Sequence, residues 1–214
     1  MTVPWSLLIF DVDGTLVDST RSILTAMQMT ITELRGPVPL EDLKTCVGPP
    51  LHESLSRLLH SDDAAEIESA IATYRAHYAC STHSYTTEMP GAREALGALA
   101  QARITMAACT YKPTTTARMV LEGLGLADHL RTVVGTHSPG LDERSKGELL
   151  GETLRQFSLK PDHVIYIGDH EDDAAAAVAA GVQFARLAPG HWSWSGLVHA
   201  ILHCGPIEWR SVYS

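Results

Sequence analysis

Apolar residues follow two rhythms along this chain. Leu7-Leu8-Ile9-Phe10 is an unbroken apolar run, the pattern of a strand buried on both faces. Residues 19–35 then read as a helix, closed by Gly36-Pro37-Val38-Pro39. Residues 40–80 carry no strand pattern and divide into three short amphipathic helical segments. Leu51, Leu55, Leu58 and Leu59 recur at helical spacing in one of them, and Glu66, Ile67, Ile71 and Tyr74 mark another. Met89-Pro90-Gly91 signals a return, after which helix and strand alternate. The spacing predicts a helix over 91–102, a strand over 104–109 and a helix after Pro113, which suits a first helical position. A short strand at 131–134, a helix over 146–157, a strand at 163–167, an alanine-rich helix at 174–180 and a strand at 182–187 complete the series. This βαβα order predicts an α/β fold, a parallel sheet with helices on both faces. The helical stretch 16–87 is then an insert, and 1–15 with 88–214 form the sheet-bearing core. Trp192, Trp194 and Trp209 mark a tail whose final helix packs on that core.

Composition narrows the range of functions. A hydrophobic fraction of 45% and a charged fraction of 19% over 214 residues are ordinary for a soluble protein with one sizeable core. The net charge of -9 argues against a nucleic-acid polymer or an anionic membrane as partner. It leaves room for a phosphorylated small molecule, because a cation can invert the potential inside a pocket. No apolar stretch is long enough to cross a bilayer, and no basic region precedes the first strand as in a secretory signal. Cys46, Cys80, Cys109 and Cys204 lack metal-site spacing and read as reduced thiols of a cytoplasmic protein.

The chemistry concentrates where the strands end. Asp11 and Asp13 follow the first strand with one residue between them, and on an extended chain they project from one face. Two close carboxylates repel, so burying them together calls for a cation or a proton. Thr110 follows the second core strand, Lys146 opens the helix before the fourth, and Asp169 and Asp173 follow that strand. Open α/β sheets place their ligands at this edge. Each group also has a plainer reading. Asp169 and the acidic residues after it suit a helix start, and Ser145-Lys146-Gly147-Glu148 fits a capping box with an exposed lysine. A lysine in a first helical turn opposes the helix dipole, however, and is easier to understand facing anions.

Together these residues resemble the haloacid dehalogenase superfamily, in its phosphoglycolate-phosphatase-like branch with a helical cap. Asp11-Val12-Asp13-Gly14-Thr15-Leu16-Val17-Asp18-Ser19 matches the family's first motif, and Cys109-Thr110-Tyr111-Lys112-Pro113 the second, with Tyr111 where asparagine is commoner. Lys146 matches the third, and Gly168-Asp169 with Asp173 the fourth. Val47-Gly48-Pro49-Pro50-Leu51 resembles a cap loop of that branch, and Met89-Pro90-Gly91-Ala92 its return to the core. The resemblance implies a Rossmann-like core with an α-helical cap, and a Mg²⁺-dependent phosphatase working through an aspartyl-phosphate. Asp11 would be the nucleophile, Asp13 the general acid and base, and Thr110 and Lys146 the groups holding the phosphoryl oxygens. Asp11 and Asp169, the backbone carbonyl of Asp13, and Asp173 in support would hold the metal. Gly14, Thr15 and Tyr111 would complete the phosphate pocket, while Gly48 and Pro49 would face the substrate from the cap. Lys44, His52 and Arg57 are further cap cations suited to a substrate anion.

A cation is needed on physical grounds as well. Each unit-charge pair between a carboxylate and a phosphate costs about 4 kcal/mol at about 4 Å and an effective dielectric near 20. Within the family that the chain resembles, the acidic residue Asp13 implies phosphoryl chemistry in preference to dehalogenation. The expected substrate is a small phosphomonoester such as phosphoglycolate, handled by a monomer or homodimer. Nucleotide 5′-monophosphates, sugar phosphates and pyrophosphate stay open as substrates. A phosphomutase of the β-phosphoglucomutase type and a receiver-like phosphorylated switch are the competing functions. The insert after the first strand argues against the switch.

Overall fold

The structure, a computed structural model, describes residues 5–46, 50–136 and 144–203, and of 82–84 only the backbone. In chain order the elements are β1 (Leu7–Phe10), β2 (Val17–Asp18), α1 (Thr20–Arg35), α2 (Leu40–Lys44), α3 (Leu51–Leu59), α4 (Ala64–Tyr85) and β3 (Thr87–Glu88). There follow α5 (Ala92–Gln101), β4 (Met106–Pro113), α6 (Thr114–Gly123), β5 (Val133–Thr136), α7 (Lys146–Phe157), β6 (Val164–Gly168), α8 (Glu171–Ala180), β7 (Gln183–Arg186) and α9 (Trp194–His203).

Five strands form one parallel sheet in the order β5-β4-β1-β6-β7. All four residues of β1 are buried, and the alternation of the strand explains why. Leu8 and Phe10 join Met106, Ala108, Ile165 and Ile167 in a cluster under α5, α6 and α9. Leu7 and Ile9 join Ala107, Cys109, Val164 and Tyr166 in a second cluster under α7 and α8. A strand covered on both faces has no polar side to show, which is why its sequence is a continuous apolar run. Strands β4 and β5 lie on one side of β1, and β6 and β7 on the other. The order of strands therefore reverses around β1, and such a reversal opens a crevice beyond the carboxyl ends.

The chain separates into two compact units, and the first division falls between Val17 and Asp18. Leu16 and Val17 belong with the sheet because both are wholly buried in its first cluster. The second unit, over Asp18–Thr87, holds α1 to α4 around a core that includes Met27, Ile31, Leu43, Leu55, Ile71 and Tyr74. Within it the Ser22 and Thr86 hydroxyls share a buried hydrogen bond of 2.8 Å.

Several boundaries differ from the sequence pattern for physical reasons. β4 runs on to Pro113 instead of stopping at Cys109, because an irregularity lets Pro113 pair with Thr136. Pro113 is consequently extended (φ -53°, ψ 135°) and caps α6 instead of opening it. α8 starts at Glu171, ahead of the alanine run, because His170 and Asp173 close a capping box there. Trp194 opens α9, whose Leu197, Ala200 and Ile201 pack in the first cluster. Gly48, Pro49, Cys204 and Trp209 lie outside the described residues. Cys46, Cys80 and Cys109 are free thiols. Among the described residues no helix is long and apolar enough to cross a membrane.

Candidate functional site

Asp11 stands one residue beyond β1, where its N–H still donates to Ile167 at 2.8 Å. The chain then curls. Gly14 N–H donates to Val17 at 2.8 Å, and the Leu16 and Val17 amides both donate to Val12 at 2.9 Å. The two aspartates thus sit on a tight loop rather than along an extended strand, and each meets its own ammonium. Lys146 Nζ lies 2.9 Å from Asp11 Oδ1, and Lys112 Nζ lies 2.9 Å from Asp13 Oδ2.

Gly14 is fixed by its surroundings. Its φ is +81°, and a Cβ there would come within 2.3 Å of Asp169 Oδ2. Only a glycine lets this loop close on that carboxylate. The neighbouring Thr15 hydroxyl donates to Asp169 Oδ1 at 3.1 Å, which gives Thr15 a part in aiming Asp169. Replacing Gly14 with alanine (Gly14→Ala) is expected to cost about 1–3 kcal/mol of stability and to push Asp169 out of line. Urea unfolding together with a cation titration checks both effects. An unchanged cation affinity would show that this close approach does not matter for the cluster.

Lys146 enters through a helix start. Ser145 and Glu148 form the capping box read from the sequence, yet Lys146 is only 7% exposed. Besides Asp11, its ammonium meets Asp173 Oδ1 at 2.5 Å. Tyr111 accepts a 2.9 Å hydrogen bond from the Lys146 N–H, and its ring centre lies 5.5 Å from Nζ. The tyrosine that stands in place of asparagine in the second motif therefore braces the third. Thr110 is buried two residues beyond Ala108, the partner of Phe10, and its hydroxyl accepts from the Lys112 N–H at 3.2 Å.

Asp173 is completely buried, and four donors approach it. Lys146 Nζ and the Tyr166 hydroxyl (2.9 Å) face Oδ1, and the Asp169 and His170 amides face Oδ2 at 3.2 and 3.0 Å. Asp11 contrasts with it. Its buried Oδ1 has the Lys146 charge close by but no donor in hydrogen-bonding alignment. Burial pushes the Asp11 carboxyl up to about 7, with Lys146 pulling it down and Asp173 adding to the rise. Asp169 is raised as well, first by burial and then by Asp173. Burial alone would depress Lys146, but Asp11 and Asp173 outweigh it and hold the ammonium above the ordinary lysine range. Burial pushes the Cys109 thiol up to about 12, so it stays protonated and is no nucleophile despite its place next to the site.

Oxygens of Asp11, Asp169 and Asp173 all lie within 4.8 Å of one another. Three carboxylates against one ammonium leave two negative charges in excess when all are ionised. A buried cluster of that sign fits a divalent cation taking hard oxygen ligands.

The sequence reading missed two supports. Tyr166 places its hydroxyl 3.0 Å from the Cys109 carbonyl as well as beside Asp173, serving one acceptor at a time. A polar tip in the aliphatic strand Val164-Ile165-Tyr166-Ile167 was the available signal, since a buried phenol needs a partner. Arg186 on β7 donates from Nε to the Asp169 carbonyl at 3.1 Å and gave no such signal. The cap cations are engaged within the helical unit or exposed. Lys44 pairs with Glu41 at 2.8 Å, Arg57 donates to the Thr45 carbonyl at 2.8 Å, and His52 is exposed.

Similarity to known proteins covers both the sheet and the helical insert. A tyrosine-protein kinase, PtkA of Mycobacterium tuberculosis, is 34% identical over 82% of this chain, which spans only 60% of that protein's length. A phosphoglycolate phosphatase of Rhodospirillum rubrum is 35% identical over 86% of this chain and 80% of its own. Among solved structures, a haloacid dehalogenase-like hydrolase of Streptococcus pneumoniae superposes with a TM-score of 0.78 at 26% identity, covering 99% of both chains. The sequence pattern of the haloacid dehalogenase-like hydrolases is matched over residues 8–187, from the first core strand through the last, and the chain belongs to that family.

Proposed function

We propose that this chain is a Mg²⁺-dependent phosphatase of small phosphomonoesters, phosphoglycolate foremost, working through an aspartyl-phosphate on Asp11. The observation that carries this reading is the buried cluster of Asp11, Asp169 and Asp173, whose negative charges outweigh the Lys146 ammonium beside them. Asp11 and Asp169 would hold the cation by side chain and Asp13 by its backbone carbonyl. Asp173, its oxygens already occupied by donors, would orient Lys146 and the 169–170 amides. When bound, the cation offsets the repulsion between the carboxylates and a phosphate dianion.

The steps fall to the chain's own residues. An Asp11 carboxylate oxygen bonds to phosphorus while the bond to the leaving oxygen breaks, and the Asp13 carboxyl gives that oxygen its proton. Asp13, now a carboxylate, takes a proton from water as the water oxygen bonds to phosphorus and the Asp11–phosphorus bond breaks. Thr110 and Lys146 hold the phosphoryl oxygens, with the backbone amide at Tyr111 as a further donor. The segment 16–87 would serve as the cap that the resemblance implies, with Gly48 and Pro49, outside the described residues, as its expected substrate contacts. The reading includes a cytoplasmic enzyme, monomer or homodimer, without a membrane or nucleic-acid polymer as partner.

The test is a screen of phosphoglycolate, nucleotide 5′-monophosphates, sugar phosphates and pyrophosphate, with Mg²⁺ and with chelator. Phosphoglycolate is expected to lead, and the chelator to remove essentially all turnover. Equal rates on every ester reject the dedicated substrate. Turnover of none of them, with ATP instead labelling a tyrosine peptide, favours the activity named for the mycobacterial relative.

Cation binding should depend on pH. With burial holding the Asp11 carboxyl up to about 7, a cation must displace its proton below that pH. Affinity is expected to rise with pH to about 7 and then level off. Calorimetry in buffers of different ionisation heat should show close to one proton released per cation at about pH 6 and close to none at about pH 8. In the cation-free protein the same carboxyl, ordinarily near 3.8, keeps a proton that the unfolded chain has already lost. Its contribution to stability therefore declines as pH rises from about 4 to about 7.

A further inference from the structure

The register between β4 and β5 breaks at the second motif. Cys109 pairs with Val134 and Pro113 with Thr136, so Thr110, Tyr111 and Lys112 stand opposite the single residue Gly135. Such a bulge re-aims side chains. The partner strand is built to accept it. A Cβ on Gly135 would fall 2.2 Å from the Lys112 carbonyl oxygen and 2.9 Å from the Thr114 nitrogen. Hydrogen bonds lock the bulge from both ends. Gly135 N–H donates to the Thr114 hydroxyl at 3.0 Å, and the Thr136 hydroxyl donates to the Tyr111 carbonyl at 3.3 Å. At the end of this segment the Lys112 side chain is 6% exposed, with its ammonium 2.9 Å from Asp13 Oδ2.

We propose that Lys112 is a positioning residue: delivered by the β4 bulge, it grips one oxygen of Asp13 and sets the plane in which that carboxyl exchanges protons with the reacting oxygens. This rests on the phosphatase reading above. Oδ2 can accept from the ammonium whether or not the carboxyl carries a proton on its other oxygen, so one contact serves both half-reactions. A lysine is buried at this cost in side-chain entropy and desolvation only where its charge is matched, and Asp13 supplies that match.

The test uses leaving groups. When the phosphorus–oxygen bond breaks, an alkoxide needs the Asp13 proton, whereas p-nitrophenolate leaves as a stable anion without it. Lys112→Met is expected to lower kcat/KM about 30- to 100-fold on a simple alkyl phosphate and less than about 3-fold on p-nitrophenyl phosphate, a share of the usual general-acid contribution. Lys112→Arg should recover most of the loss. In an Asp13→Asn background, Lys112→Met should cost less than about 2-fold, because the group it positions is gone. Should Lys112→Met not fold, Lys112→Gln makes the same comparison. Equal losses on both esters, no loss on either, or full additivity with Asp13→Asn overturns the proposal while leaving the phosphatase reading intact. A wild-type chain that cleaves neither ester overturns both.

Discussion

Asp11→Asn is expected to lower kcat by at least about 10⁴-fold while leaving the fold in place. The amide is nearly isosteric, so the packing at the end of β1 changes little. It cannot bond to phosphorus as an anion, nor offer a charged oxygen to a cation. At pH 8 the variant should be at least as stable as the parent, because burial makes the ionised Asp11 carboxylate costly to keep. Rapid quenching with labelled substrate should trap a phosphoenzyme on the parent chain and none on the variant. A variant that keeps normal turnover would remove Asp11 from the role of nucleophile.

Lys146→Met should have the largest effect on stability. The substitution preserves apolar bulk but leaves Asp11 and Asp173 facing each other, buried, without the ammonium that now lies within 2.9 and 2.5 Å of them. Removing one partner of a buried ion pair typically costs about 3–5 kcal/mol, because the remaining charge has neither water nor counterion. The sign of the pH dependence follows. Without Lys146 the pull that lowers the Asp11 carboxyl is gone, so burial pushes it up further, and at acid pH it is protonated and costs little. The deficit relative to the parent should therefore grow as pH rises, and urea unfolding at pH 5 and pH 8 measures it. Added Mg²⁺ should restore more stability to the variant than to the parent, since the variant carries the greater excess of negative charge. A deficit independent of pH would mean that lost packing, rather than lost charge, is responsible.

Much of this architecture was legible because each layer has its own sequence rhythm. β1 and β6 read as strands because burial on both faces demands continuous apolar runs, and α7 read as a helix because Ser145 and Glu148 announce its start. The capping box and the facing of anions proved compatible at Lys146. Short-range pattern could describe the helix start, but the burial of that lysine is set by Asp11 and Asp173, remote in sequence. The β4 bulge was illegible for a related reason. It depends on a missing Cβ at Gly135, across the sheet, and the local pattern ended the strand at Cys109. Tyr166, Arg186 and the Lys112–Asp13 pair likewise act through partners that only the fold brings near.

The position of β1 also governs how the molecule can be assembled. Leu8 pairs with Met106 on one side and Ile165 on the other, so the first strand of this sheet in the chain waits for β6, far along the sequence, to gain its second neighbour. Until β6 has been synthesised, a ribbon greasy on both sides keeps one edge open to any stray strand. Shielding that ribbon during translation is a task the finished molecule no longer displays.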